Sequence, residues 1–402
     1  MMNEKTYQLN RDNGRYRIIL NRYVIYCIYA TLISNFLILW GNPLKNDLLV
    51  SLGTRVMIVF ILLLAIMHFF GCFCRKKVDL LDAWFIALVV CTAVLYVVTT
   101  FPGILGKMVS YMCFLTLPAY ITLYRNVRQL RKLKTAIYIA NTAYFFLFLW
   151  LSFSEYAYIY YGEYGERIIE ELTLGYGNPN ETGIYLLICF IIMLCAVLDA
   201  RKKQYKWAAA ACAVVLFRML WLTESRICLL LAAIMIAVML IRQPRRILTK
   251  IQGIVLIIPL AGVVLTMVLP QSVLEWEFMG SILDTGRKLL FVSFFNSATG
   301  FDYLIGDYSR YAGANMHNSF LSIVAMFGIP AAWLYFRFLR QALHYYRQRL
   351  NGRVGYVAYA GVLAMIAHGI AEGTILVAGA VYAGLTGLLF VLMLPDQEGM
   401  GP

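Results

Sequence analysis

Charge is scarce in this chain of 402 residues: Asp, Glu, Lys and Arg together make up 14% of it, and acids are outnumbered, 21 against 35 bases. So thin a charge supply excludes an acidic or disordered solvating segment and leaves a soluble surface without its usual polar cover. Metal-ligand spacing is missing too. Cys72-Phe73-Cys74 has no second pair, and no Asp-x-Asp occurs, the nearest spacing being Asp79 and Asp82. No metal or other cofactor is therefore expected, and the nine cysteines, mostly inside apolar runs, do not read as a disulfide framework. Proline is limited to ten residues and no low-complexity linker or internal repeat divides the chain.

What is present in excess is hydrophobicity, 61% of residues with a mean hydropathy of +0.72, which describes a chain dissolved in lipid. Runs of about 17 to 25 apolar residues, enough to cross roughly 30 Å of hydrocarbon, recur at 23–40, 48–71, 80–100, 108–124, 135–153, 182–200, 207–222, 227–241, 250–270, 317–338, 355–371 and 374–394. An all-α polytopic membrane protein of about twelve spans is the expected fold. The first run lacks a small-residue cleavage site and is expected to stay as an uncleaved anchor.

Cations set the expected orientation, because basic segments near span ends resist translocation. They cluster before Tyr23 and in the turns at 75–77, 125–134, 201–206, 242–250 and 337–353, alternate turns that become cytoplasmic if both termini are. Anionic lipid headgroups then account for the net charge of +14, and no nucleic-acid partner is implied. The chain divides into a basic N-terminus at 1–22, N-terminal spans at 23–174, a central region at 175–338 and C-terminal spans with a short tail at 339–402. Two external turns are long. One, at 154–177, is rich in Tyr and Glu, fitting an interfacial aromatic belt or a sugar-binding surface. The other, at 271–316 between spans nine and ten, is long enough to hold helices of its own.

Polar motifs open three spans on the external side: Asn178-Pro179-Asn180-Glu181, Thr223-Glu224-Ser225-Arg226 and Asn315-Met316-His317-Asn318. Helix N-termini carry unpaired N–H groups and a positive dipole end, so such ends attract phosphates. The first motif equally fits a plain helix start, with an N-cap, a proline at the first position and a capping acid. Arg226 runs against the positive-inside bias, Arg218 lies deeper with snorkelling as its alternative, and the long loop adds Asp284-Thr285-Gly286-Arg287-Lys288. Of four histidines, His68 and His344 look incidental, whereas His317 stands at a span mouth where an imidazole can accept a proton at neutral pH. His368 and Glu372, four apart near the end of span eleven, can pair on one helical face.

In order and context these pieces resemble the O-antigen ligase and polymerase superfamily of bacterial surface-polysaccharide synthesis. His317-Asn318 with Gly328 is similar to its histidine motif, with Ala331 where a further glycine is common. Thr285-Gly286-Arg287 resembles its Gly-Arg element, Ser225-Arg226 its Ser-Arg, and Gly177-Asn178-Pro179-Asn180 its Asn-Pro-Asn segment, so that the similarity covers about 175–330.

The resemblance implies a metal-independent, inverting glycosyltransferase of the plasma membrane. It would act on its external face, with undecaprenyl-diphosphate-linked oligosaccharide as donor and a glycan or other acceptor. A flippase and a chain-length regulator would be partners in the membrane. Arg226 and Arg287 would stabilise the departing diphosphate, and His317 would accept the attacking hydroxyl's proton. Asn318, Asn178, Asn180, Glu181, Arg218, His368 and Glu372 would orient it or hold substrate. Polymerase and ligase differ only in acceptor. A transporter or flippase is the alternative of another class, which the collection of charge at the outer surface disfavours.

Overall fold

The computed structural model describes residues 4–75, 78–99, 104–125, 127, 130–161, 169–241, 244–274, 277–278, 281–282, 287–311, 316–350, 352–373 and 380–395, and 83% of these are helical. The helices are α1 (Glu4–Gly41), α2 (Asp47–Arg75), α3 (Leu80–Thr99), α4 (Ile104–Tyr124), α5 (Leu130–Leu151), α6 (Pro179–Asp199), α7 (Lys203–Leu222), α8 (Arg226–Leu240) and α9 (Arg245–Val268). They continue with α10 (Gln271–Leu274), α11 (Arg287–Ser297), α12 (Gly300–Ile305), α13 (Tyr308–Tyr311), α14 (Ser319–Arg347), α15 (Gly352–His368) and α16 (Ala380–Leu392).

Among the described residues each of the twelve apolar runs overlaps a helix, the last of them over Ala380–Leu392. Among the described residues seven helices are long and apolar enough to cross a membrane, in α1, α3, α5, α6, α7, α9 and α14. Shorter apolar helices include α8, whose 15 residues reach only about 22 Å at 1.5 Å per residue. The chain is helical as expected, with one addition. Both long turns hold a short antiparallel hairpin, β1 (Tyr158–Tyr161) with β2 (Ile169–Leu172), and β3 (Glu277–Phe278) with β4 (Ser281–Ile282). Aromatic and β-branched residues in the first pair favour strand over helix. The second turn also holds α10 to α13, as its length suggested.

Position in the bundle follows from which helices are apolar all round. The spanning stretch of α6 is 89% buried and occupies the centre, whereas that of α7 is 22% buried and turns Trp207, Val214 and Trp221 outward. A helix apolar on every face has no polar side to give to water, so it is buried in protein or faces lipid. Close crossings use small residues: Gly361 of α15 lies against Ile191 of α6, and Gly384 of α16 against Asn35 of α1. Thus the first and last described helices share one core.

Helix α14 is broken at Gly328, whose φ of 82° and ψ of 168° suit glycine alone. The starts of α6, α8 and α14 and the end of α15 meet at one end of the bundle, joined by side-chain hydrogen bonds.

Candidate functional site

Three helix starts build the site from their caps. Asn178, extended at φ −141°, accepts the Asn180 N–H at 2.9 Å on its side chain, and Pro179 takes the first helical position, where no donor is needed. The side-chain oxygen of Asn178 is therefore taken up by the cap. Asn180 looks the other way and accepts a 3.0 Å bond from Ser225 Oγ, tying α6 to α8. This approach is possible because Gly183 lies against Ser225 and Cys228, where an added Cβ would fall 3.0 Å from each. Glu181 stays partly exposed while Tyr185 donates to its Oε1 at 2.8 Å and Tyr382 of α16 bonds it from the side. The two tyrosine rings stack at 4.9 Å.

The start of α14 and the turn after α15 form the opposite wall. Asn318 is wholly buried; its Oδ1 accepts from Leu321 N at 3.0 Å, and its Nδ2 donates to Pro259 O at 2.8 Å and to Ile370 O at 3.5 Å. With all its groups engaged, it holds backbone. Ser319 receives the turn, its N–H donating to Gly369 O at 2.7 Å and its Oγ to Glu372 O at 2.8 Å.

This clamp has a consequence for Glu372. Helix α15 ends at His368, so the two do not share a continuous helical face as their spacing suggested. Instead the Glu372 carboxylate lies 3.5 Å from His317 Nδ1, its side chain 4% exposed against 32% for the imidazole. His368 is wholly buried, its Nε2 3.2 Å from Cys228 Sγ, so it braces the site from behind. Glu181 and Glu372 lie within electrostatic range of each other.

Cations complete the rim. Arg226 takes the first position of α8 and Arg287 that of α11, both partly exposed, and the Arg287 guanidinium lies within electrostatic reach of His368. Arg226 and Glu224 both act on Glu171 of β2. Burial, then the Glu224 carboxylate, raise the pKa of Glu171, while Arg226 lowers it. Two of the four non-glycine residues with positive φ among the described residues, Glu224 at 52° and His317 at 46°, stand just before the helix openings. Such backbone is costly outside glycine and gathers at functional sites.

The structure thus links Asn180, Ser225, Cys228, His368, Glu372, His317, Asn318 and Ser319 by contact, with Glu181 and Arg287 in electrostatic range. Arg218 is exposed on α7 and, among the described residues, no hydrogen bond or ion pair joins it to this group. Asp284, Thr285, Gly286 and Asn315 lie outside the described residues. Cys228, Ser319, Tyr185 and Tyr382 were not foreseen, whereas Ser225 stood in the second polar motif and Glu171 in the Tyr- and Glu-rich turn. Tyr185 alone had a local signal, four residues after Glu181. Among the described residues no three His, Cys, Asp or Glu side chains gather at metal-ligand spacing. No family model, curated protein or solved structure matches the chain.

Proposed function

We propose that the chain is a multi-pass glycosyltransferase of the bacterial plasma membrane, with up to twelve spans, termini in the cytoplasm and this site on the external face. Its donor is a glycan on undecaprenyl diphosphate and its reaction extends that glycan, as a polymerase does. The observation that carries the reading is the contact of a partly exposed His317 with the buried Glu372 carboxylate, with Arg287 in electrostatic reach of the neighbouring His368.

An acceptor hydroxyl loses its proton to His317 as its oxygen attacks the anomeric carbon; a new C–O bond forms, the C–O bond to the diphosphate breaks, and the anomeric configuration inverts. The Glu372 carboxylate stabilises the imidazolium so formed. The diphosphate leaves as an anion, so it needs positive charge rather than a proton donor. Arg226 and Arg287 supply that charge together with the N–H groups of their helix starts. Glu181 and Asn180 hold sugar hydroxyls, whereas Asn178, Asn318 and His368 position the walls.

Proteoliposomes given the purified lipid-linked oligosaccharide test the reaction class. The reading expects longer glycans whose new linkage is inverted relative to the donor. Product only on adding a separate acceptor would make the chain a ligase, and donor moved across the bilayer unchanged would make it a transporter.

A further inference from the structure

The segment between α9 and α14 does not stand clear of the spanning bundle. Gly306, at φ 72°, packs so closely on α14 that an added Cβ would lie 2.3 Å from Phe327 N and 2.4 Å from the carbonyl carbon of Met326. Gly328 meets the same loop from the other side, an added Cβ falling 2.4 Å from Leu304 O. The Asp307 N–H donates to Ala325 O at 2.8 Å, which pins the end of α12 to the kink. Two glycines with backbone unsuited to other residues are spent on this one contact. The kink lies nine residues after Ser319, so α12 reaches about 13 Å along α14 from its site end at 1.5 Å per residue.

At that depth α12 shows apolar residues outward. Thr299 and Asp302 close its start with a capping box, so it is a defined turn of helix, and Phe301 and Leu304, three apart, are 67% and 57% exposed on one face. Leu289 and Phe295 of α11 are exposed as well. This surface continues through the Leu304 and Gly328 contact onto Ile329 and Trp333 of α14, 50% and 54% exposed on a helix long and apolar enough to span a bilayer.

We infer that α11 and α12 are embedded in the leaflet on the site side, with Phe301 and Leu304 in contact with lipid hydrocarbon. The occupant of this face is bilayer lipid, because the face is continuous with the outward surface of a spanning helix and sits below that helix's end. Non-helical backbone at such depth is tolerated where it is buried against protein, as Gly306 is. The placement rests on α14 spanning the membrane and not on the transfer reaction. If both hold, Arg287 at the start of α11 stands where the headgroup of a lipid moving within the leaflet arrives.

Photoreactive benzoylphenylalanine placed singly at Phe301, Leu304 and Trp333, with Tyr156 on the hairpin side as an exposed comparison, tests this in nanodiscs of defined phospholipid. Irradiation is expected to add the mass of one phospholipid at 301 and 304, as at 333, and not at 156. A second measurement uses Leu304→Cys and Tyr156→Cys with a membrane-impermeant maleimide, read over the wild-type background, and expects labelling at 156 with little at 304. Lipid adducts at 333 but not at 301 or 304 would overturn the inference. So would adducts joining two copies of the chain at 301 or 304, or maleimide labelling at 304 as fast as at 156.

Discussion

Nδ1 of His317 stands 3.5 Å from Oε1 of Glu372, although 55 residues separate them and no single helix carries both. Ser319 makes the pairing, holding Gly369 through its N–H and the Glu372 carbonyl through its hydroxyl. If His317 is the base of the proposed transfer, His317→Ala is expected to slow glycan extension by roughly 10²- to 10⁴-fold, the usual worth of a general base. Glu372→Gln keeps the shape and removes the charge that faces the imidazole at 3.5 Å, a loss of roughly tenfold if that charge stabilises the imidazolium. Turnover in proteoliposomes with both variants reads this; a Glu372→Gln enzyme at wild-type rate would remove the carboxylate from the account.

Asn318 is a prediction about stability. Asn318→Ala removes the α14 cap and leaves two carbonyls without their amide donor, a loss of about 1–3 kcal/mol. Asn318→Asp keeps the cap but sets a carboxylate oxygen against Pro259 O, and is expected to be worse. Thermal unfolding in detergent ranks them, and an Asn318→Asp protein as stable as wild type contradicts the bonding described.

The glycine contact at the kink allows almost no change. Gly306→Ala puts a methyl group against the backbone of α14 at a φ of 72° and is expected to cost roughly 3 kcal/mol or more. Gly300→Ala in the same segment, with open space around it, serves as the tolerated comparison. Equal thermal stability of the two variants would rule out the close approach.

Arg125 anchors the opposite end of the bundle, its side chain 6% exposed and paired with Asp79 and Asp82. Burial opposes its charge, but the two carboxylates outweigh burial and hold its pKa above the ordinary range. Arg125→Ala would take the guanidinium away from the buried Asp82 carboxylate, a loss of roughly 3 kcal/mol. Asp82→Asn in the same background is expected to recover part of it, and its failure to do so would show that the charge is not what the arginine balances.

Glu171 gives the β1 and β2 hairpin a pH dependence with a definite sign. Its folded pKa is raised by burial and by Glu224, so the folded hairpin binds a proton more readily than the free chain does. The stabilisation is fully present below the ordinary glutamate pKa and is lost as pH rises through the raised one. Hydrogen exchange of residues 169–172 is expected to quicken over that window beyond its intrinsic pH dependence, and Glu171→Gln to abolish the extra change. A variant that keeps the wild-type profile would assign the effect elsewhere.

Much of the scaffold was legible because the bilayer constrains it so strongly. Apolar runs could only be helices, and Pro179 and Asn318 marked helix starts correctly. Partners across the fold were not legible. Cys228 and His368 meet from 140 residues apart, and Asn318 finds a carbonyl on α9 that no local pattern announces. His368 and Glu372 look like one helical face until the helix is seen to stop at His368. The first hairpin was legible in principle, since Tyr158-Ile159-Tyr160-Tyr161 is a run of strand formers, but its site among membrane helices suggested a belt instead.

The most direct measurement reconstitutes the purified protein in vesicles with undecaprenyl-diphosphate-linked oligosaccharide, without metal, nucleotide or ion gradient, beside Arg287→Ala and His317→Ala. The account predicts a ladder of longer glycans from the wild type and none from either variant. A ladder of equal intensity from all three, or no glycan transfer by the wild type with any acceptor, would contradict it.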